Sequence, residues 1–488
     1  MKGQSVLQVG LGESGLACAR WALSQGASVT VIDTREQPPG LNDLRADWPD
    51  VHCVCSLENL PWTFMQVVVS PGLPPSHPLM QAVVQTAQVQ GTPVDSELDL
   101  FADALDRLAE SQAYHPKLVG VTGTNGKTTT TRMVACLAEF AGKRTMAAGN
   151  ISPAALEALR LALQDGHLPD VWVLELSSFQ LHWTKRLKLD ASTVLNLSQD
   201  HLDWHASMNE YAQDKFRIFS EGGVCVLNRD DPVVSAASLP QRSRRISFGL
   251  SAPSGLDEFG LVREGGMLWL AQTQVDEESL SSGRRKKNDA VEVHQKLLMP
   301  TDALQVVGLH NAANALAALA LCVGIGLPMA RLLHGLRNYQ GEPHRVQHVL
   351  QLEGVDYFDD SKGTNVGATV AALNGLARPT ILIAGGDGKG QDFEPLLSPV
   401  ASHCKAVLLI GKDAERIAGA LAPSGVHLER CNSLEAAVVA AHTLSQAGDV
   451  VLLSPACASL DMFKNYVHRA EVFVCAVRNL ASDRGQPC

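Results

Sequence analysis

The chain has 488 residues, 45% hydrophobic and 19% charged, the make-up of a globular protein of about three domains. A formal net charge of −11 excludes a non-specific nucleic-acid binder, because no basic excess exists to displace counterions from phosphates, yet it leaves anionic small molecules open to local loops. The longest apolar run, 316–327, is too short to span a bilayer, and Glu13 and Arg20 interrupt any signal-peptide pattern at the start. The eleven cysteines are odd in number and scattered, with only Cys53 and Cys55 close together, so they read as reduced thiols. The expectation is a cytoplasmic monomer with no membrane or nucleic-acid partner.

In chain order, 5–9 reads as a strand, Leu16, Ala19 and Leu23 have helical spacing, and 28–33 reads as a second strand. Between the first strand and the helix lies Gly10-Leu-Gly12-Glu-Ser-Gly15, with Asp33 18 positions beyond its last glycine. That is the dinucleotide fingerprint. Three readings stay open: NAD or FAD, another nucleotide diphosphate on the helix N-terminus, or a tight turn without ligand. A strand at 67–70 ends in Pro71-Gly72, and a first domain boundary is placed near residue 98.

The apolar run 117–122 leads into Gly123-Thr-Asn-Gly-Lys-Thr-Thr129 and then a helix at 128–141 with Met133, Val134, Leu137, Ala138 and Ala141 on one side. Strand, glycine-rich turn and helix are the setting of a phosphate loop. The glycines let amides turn toward an anion, Lys127 can reach outer phosphates and the Thr128 hydroxyl can ligate Mg2+. The usual glycine five residues before Gly-Lys is Val121 here, so the loop is a variant; the competing reading is an exposed Gly/Thr turn. A strand at 171–175 ends in Glu175, placed either to hold Mg2+ or as an ordinary exposed strand-end acid. A further strand at 191–197 runs into His201 and His205, with Asp200 and Asp203 beside them. No third soft ligand supports zinc, so His201 is assigned to Mg2+ or phosphate and His205 to structure. Lys215, on a helix at 207–220, reads by pattern as a solvated surface lysine.

Residues 250–300 read as less regular, with a basic surface loop at 281–293 whose role is unassigned. A long Ala/Leu helix then opens near His310, where Asn311 or Asn314 could cap it or touch a base. A second boundary is placed at 341–342. The last domain alternates strands (355–359, 380–384, 406–410, 450–453) with helices, which argues a parallel sheet. Polar loops at 359–365, 385–392 and 454–461 follow its strands, and ligands of open α/β sheets bind at such ends.

Seven segments together resemble one family, the Mur ligases, ATP-dependent amino-acid ligases of peptidoglycan precursor synthesis. They are Gly123-Thr-Asn-Gly-Lys-Thr-Thr129, Glu175-Leu-Ser-Ser-Phe-Gln180, Asn196-x-x-x-Asp200-His201-x-Asp203, His310-Asn-x-x-Asn314, Glu342-Pro-His-Arg345, Asp360-Ser-Lys-x-Thr-Asn365 and Gly385-Gly-Asp-x-Lys389. The resemblance covers essentially the whole chain. The first glycine loop, the Asp359-Asp-Ser-Lys362 loop and Leu453–Asp461 are most similar to the branch that adds D-glutamate to UDP-N-acetylmuramoyl-L-alanine. Other Mur ligases or a folylpolyglutamate synthase are the alternatives, and a nicotinamide oxidoreductase follows only from the first fingerprint.

The resemblance implies an α/β protein of three domains: a Rossmann-like UDP-sugar domain (1–98), a P-loop ATPase-like domain (99–341) and a Rossmann-like amino-acid domain (342–488). It implies that Gly123, Thr124, Asn125, Gly126, Lys127, Thr128, Thr129, Asn314, Arg345 and Asp360 bind ATP. Thr128, Glu175, His201 and Lys215 would hold two Mg2+ ions, with Lys215 carbamylated. Ser14, Asp33, Arg35, Gly72, Asn150 and His201 would hold the UDP-sugar, and Lys362, Thr364, Lys389, Ser459 and Tyr466 would surround D-glutamate. Lys127, Lys215, His201 and Arg345 are the implied catalytic set. Tyr466 departs from the Phe expected at that position.

Overall fold

A computed structural model describes residues 1–58, 60, 62–201, 204–275 and 293–486. The expected surface loop is described only at Val293; 281–292, like Asp203, lie outside the described residues. Among the described residues the strands form three sheets, each the centre of one α/β domain.

The first sheet comprises β1 (Ser5–Val9), β2 (Ser28–Ile32), β3 (His52–Val54), β4 (Gln66–Val69) and β5 (Val94–Ser96) in the order β3-β2-β1-β4-β5. Every pairing is parallel. Val6, Leu7 and Val9 are buried on both faces, which is why β1 is a continuous apolar run and not an alternating one. Strand order reverses between β1 and β4, and the Gly10–Gly15 and Pro71–Gly72 loops leave at that switch point.

The helix Glu97–Gln112 starts with a reciprocal cap between Ser96 and Asp99. The expected first boundary falls at its first turn. Its Phe101 meets Trp172 edge to face at 5.2 Å, and one apolar cluster runs from Val6 and Trp21 through these rings to Leu156 and Leu174. The first two domains therefore share a core.

The second sheet contains β6 (Lys117–Thr122), β7 (Thr145–Gly149), β8 (Val171–Glu175), β9 (Ala191–Val194), β10 (Val224–Asn228), β11 (Arg244–Phe248), β12 (Glu258–Glu264), β13 (Met267–Val275) and β14 (Val293–Pro300). Its order is β14-β13-β12-β11-β10-β9-β6-β8-β7, so β6 and its loop sit between β9 and β8. Two expectations change here. Residues 258–275 and 293–300 are not irregular: β12, β13 and β14 form an antiparallel ribbon, its first two strands turned at Gly265-Gly266 with φ of 60° and 81°, the hairpin chemistry that two adjacent glycines supply. The strand expected at 191–197 stops at Val194, because Asn196 and Ser198 leave the ladder to brace the phosphate loop. The helix Leu309–Gly324 buries eleven of its sixteen residues, packing against this sheet, and no described helix is long and apolar enough to cross a membrane.

The third sheet comprises β15 (Gln347–Leu352), β16 (Val355–Asp359), β17 (Thr380–Gly385), β18 (Cys404–Ile410), β19 (His427–Arg430) and β20 (Val450–Leu453), ordered β15-β16-β20-β17-β18-β19. Only β15 is antiparallel. Asp359 and Ile383 both pair with Leu453, so three polar loops emerge level with one another. Its two faces are packed by clusters drawn from this domain alone.

Candidate active site

The phosphate loop is fixed by its neighbours before any ligand arrives. Gly126 caps the helix Lys127–Phe140 at φ 83°, and a Cβ there would stand 2.5 Å from Asn314 Oδ1. Thr124 N donates to Asn196 O (2.9 Å) and Asn125 N to Asn196 Oδ1 (2.8 Å). Lys127 Nζ folds back onto Gly123 O (2.9 Å) and Thr124 O (2.8 Å). Burial lowers its pKa.

Lys215 is not a surface lysine. It is 2% exposed, its Nζ donates to Gly123 O (3.0 Å) and Thr122 Oγ1 (3.4 Å), and it lies 4.6 Å from the centre of the Tyr211 ring. Burial, and then the nearby charge of Lys127, hold its pKa well below the usual lysine range. The helix carrying it, Met208–Phe216, is shorter than expected, and its inward face decides what Lys215 touches. Beside it, the buried Asp214 accepts from His182 Nδ1 (2.9 Å) and lies 3.3 Å from His205 Nδ1. Burial pushes the Asp214 pKa up, but those two histidines outweigh it and bring it to about 2. His205 is buried, with Nε2 2.9 Å from Ser178 Oγ.

Glu175 ends β8 beside the loop, 2% exposed. Oε1 accepts from Asn150 Nδ2 (2.9 Å), while the buried Oε2 has no hydrogen-bond partner among the described residues. A buried carboxylate oxygen left unpaired is costly, so the position suits a cation. Thr128 Oγ1 lies on the same cleft and accepts from Arg345 Nη2 at 3.1 Å, across the domain boundary. His201, at φ 54°, also faces the cleft and packs edge-on to Phe179 at 4.7 Å. These hard oxygen donors with one imidazole fit Mg2+ better than zinc.

A cleft of about 810 Å3 joins the middle and last domains. It brings together Thr124, Asn125, Gly126, Lys127, Thr128, Asn150, Glu175, His201, Arg345, Lys362, Thr364, Lys389 and Tyr466. A smaller cavity of about 140 Å3 beside it is lined by Thr129, Asn314, Arg345 and Asp360. Asn314 and Asn311 do not cap their helix, which starts after Gly308 without a side-chain cap; Asn311 Nδ2 donates instead to Val307 O at 2.8 Å. Asp360 is buried and accepts from Ser454 Oγ (2.7 Å); burial raises its pKa to about 7. Lys362 Nζ lies 5.4 Å from the centre of the Tyr466 ring, and burial, then Arg345, lower its pKa to about 8. Gly123 lies behind the loop, and Ser459, 4% exposed, does not line the cleft.

Ser14, Asp33, Arg35 and Gly72 stand apart, at the switch point of the first sheet. Asp33 is buried and accepts from Leu11 N (2.8 Å), Arg35 N (3.0 Å), Arg35 Nε (2.8 Å) and Arg35 Nη2 (2.9 Å). Burial pushes its pKa up, but the hydrogen bonds from Arg35 and Leu11 leave it lowered. Burial raises the pKa of the Glu97 carboxyl, and the nearby Ser14 hydroxyl offsets part of that rise.

Four residues were given no role in the sequence reading. Asn365 Nδ2 donates to Asn125 Oδ1 at 3.1 Å, tying the last domain to the phosphate loop. Its signal was the place of Asn365 at the end of a motif and the start of a helix. The His182–Asp214 pair beside Lys215 had no local signal, and neither did the buried Arg469.

Three family models match in order: the Mur ligase MurD-like N-terminal domain at residues 4–92, the Mur ligase middle domain at 121–322 and the Mur ligase glutamate ligase domain at 344–457. The chain is 53% identical over 488 aligned positions to a UDP-N-acetylmuramoylalanine--D-glutamate ligase of Ralstonia nicotianae, covering 98% of each chain. It is 52% identical to one of Burkholderia multivorans, again over 98% of each. Among solved structures it is similar in fold to a MurF ligase from Thermotoga maritima in complex with ADP, with TM-score 0.59 and 17% identity over 99% of this chain and 96% of that one. It is likewise similar to the UDP-N-acetylmuramate-alanine ligase MurC of Thermotoga maritima, with TM-score 0.55 and 18% identity over 98% and 100%. The chain belongs to the Mur ligase family.

Proposed function

We propose that the chain is an ATP-dependent ligase that adds D-glutamate to UDP-N-acetylmuramoyl-L-alanine in peptidoglycan precursor synthesis. The observation that carries the reading is the cleft in which Lys127, Thr128 and Glu175 of one domain face Arg345, Lys362 and Tyr466 of the next. The names borne by relatives at 53% and 52% identity support the choice of D-glutamate. The reading takes the domains as 1–98 for the UDP-sugar, 99–341 for ATP and 342–488 for the amino acid, in a cytoplasmic monomer.

The reaction brings several anions together. The substrate carboxylate attacks the γ-phosphate of ATP to give an acyl phosphate; the D-glutamate amine attacks that carbonyl, phosphate leaves and an amide forms. Gly123, Thr124, Asn125, Gly126 and Thr129 cradle the phosphates, and Lys127 exchanges its two loop carbonyls for phosphate oxygens. Arg345, already against Thr128, faces the transferring group from the other domain. Asn314 and Asp360 hold the nucleoside in the smaller cavity. Ser14, Asp33, Arg35, Gly72, Asn150 and His201 hold the UDP-sugar. Lys362, Thr364, Lys389, Ser459 and Tyr466 hold the amino acid.

Thr128, Glu175, His201 and Lys215 are the residues that would hold two Mg2+ ions, whose chemistry is to screen the phosphate charge during transfer. Lys215 suits carbamylation. Its buried amine is biased toward the neutral form, the form that adds CO2 with loss of a proton, and Lys127, Asp200, Glu175 and Asp214 are the charges nearby. The test is phosphate release with UDP-N-acetylmuramoyl-L-alanine and each of D-glutamate, L-glutamate, L-alanine and diaminopimelate. Release with D-glutamate alone is expected; indifference to D-glutamate sinks the reading.

A further inference from the structure

Arg469 is fully buried, in the first turn of the helix Tyr466–Asp483. Nε donates to Ser361 Oγ (3.0 Å), Nη2 to Ser361 O (2.7 Å) and Nη1 to Cys457 O (3.1 Å). All three acceptors are neutral, and among the described residues no carboxylate lies within ion-pair distance of the guanidinium. Burial pulls its pKa down to about 10, so the group still carries its charge at neutral pH. Asp461, Asp359 and Asp360 are near enough to act on the charge but not to pair with it directly, and a charge kept out of water without a direct ion pair is expensive.

The position of the group supplies a reason. Ser361 precedes Lys362, and its hydroxyl also donates to Tyr466 O at 2.7 Å. Cys457 belongs to the loop that reaches Ser459, and the adjacent Ala458 pairs with Asp387 through two backbone hydrogen bonds of 2.9 and 3.0 Å, which draws in the loop of Lys389. Ala456 N donates to Gly363 O at 3.0 Å. One guanidinium thus ties together the loops that carry Lys362, Thr364, Ser459, Lys389 and Tyr466. Its three fixed donors hold the geometry of those loops.

We propose that Arg469 is a positioning residue for the amino-acid substrate, setting the geometry of the loops that surround it. The inference rests on the assignment of this end of the cleft to D-glutamate. Arg469→Met and Arg469→Lys are compared with the wild type by steady-state kinetics on the full chain. The expected result is a rise of about tenfold or more in KM for D-glutamate in Arg469→Met, a smaller rise in Arg469→Lys, and KM values for ATP and the UDP-sugar within about twofold of wild type. If Arg469→Met does not fold, Arg469→Lys gives the same split. An unchanged KM for D-glutamate, or an equal rise in all three KM values, overturns the proposal. A wild type that releases no phosphate with D-glutamate refutes the functional reading instead, so the two failures are distinguishable.

Discussion

Two glycine loops in this molecule follow a buried strand and open a helix, yet they end in opposite states. At the first, Gly15 is required because a Cβ would meet Gly10 O at 2.1 Å, and the carboxylate of Asp33 beside the loop is satisfied by the protein's own Leu11 and Arg35 donors. At the second, Lys127 holds only its own loop carbonyls, and the helix N-terminus opens onto a cleft lined by the half-satisfied Glu175. A glycine pattern therefore specifies close backbone approach. What binds there is decided by the side chains that fill or leave open the helix end. This is why the dinucleotide fingerprint, taken literally, pointed to a nicotinamide enzyme.

The contrast can be broken by mutation. Lys127→Ala should lower phosphate release by about a thousandfold or more, because charge stabilisation at the transferring phosphate is lost. Asp33→Asn should leave kcat within about threefold and raise KM for the UDP-sugar; an effect on kcat as large as that of Lys127→Ala would erase the distinction between the loops. Lys215→Ala should cost roughly a hundredfold or more, with partial recovery on adding short carboxylic acids. Absence of recovery removes the carbamate but not the burial of Lys215.

Gly15→Ala sharpens the same comparison on the stability side. The added Cβ strikes backbone, so thermal unfolding should reveal a loss of about 2 kcal/mol or more; an unchanged Tm would mean the first loop is as adaptable as the second.

The smallest effect concerns pH. The folded pKa of Asp360, about 7, lies above the unfolded value of about 3.9, so the native state holds a proton that the unfolded chain has lost. This group's contribution falls as pH rises from about 4 to about 7, by a few kcal/mol at most. Asp360→Asn should flatten that part of the stability curve, which denaturant titrations at pH 5 and pH 8 would detect. Asp214 behaves oppositely: its contribution is present above about pH 4 and lost as pH falls toward 2.

What the sequence made legible was local. Lys127, Glu175, Arg345 and the 359–365 and 385–392 loops of the last domain sit at strand ends or helix starts, where spacing alone announces them, and the structure gathers them on one cleft. Lys215 was misread by pattern because a lysine on a helix reveals its burial only once Tyr211, Thr122 and Gly123 close over it. Asp214 and Arg469 act through partners 32 and 108 residues away, beyond any window that reads periodicity. The hairpin at 258–275 was legible in principle, since Gly265-Gly266 between two apolar stretches is a hairpin signal, and it was passed over beside the basic loop that follows.

The apolar cluster that runs unbroken from Trp21 to Trp172 has a consequence for how the molecule comes apart. The third sheet keeps its own clusters and meets the phosphate loop through polar contacts such as Arg345 to Thr128 and Asn365 to Asn125. Calorimetry should count two cooperative melting units, one for the fused first pair and one for the last domain, and the seam that yields first should be the one that holds the proposed site of amide-bond formation.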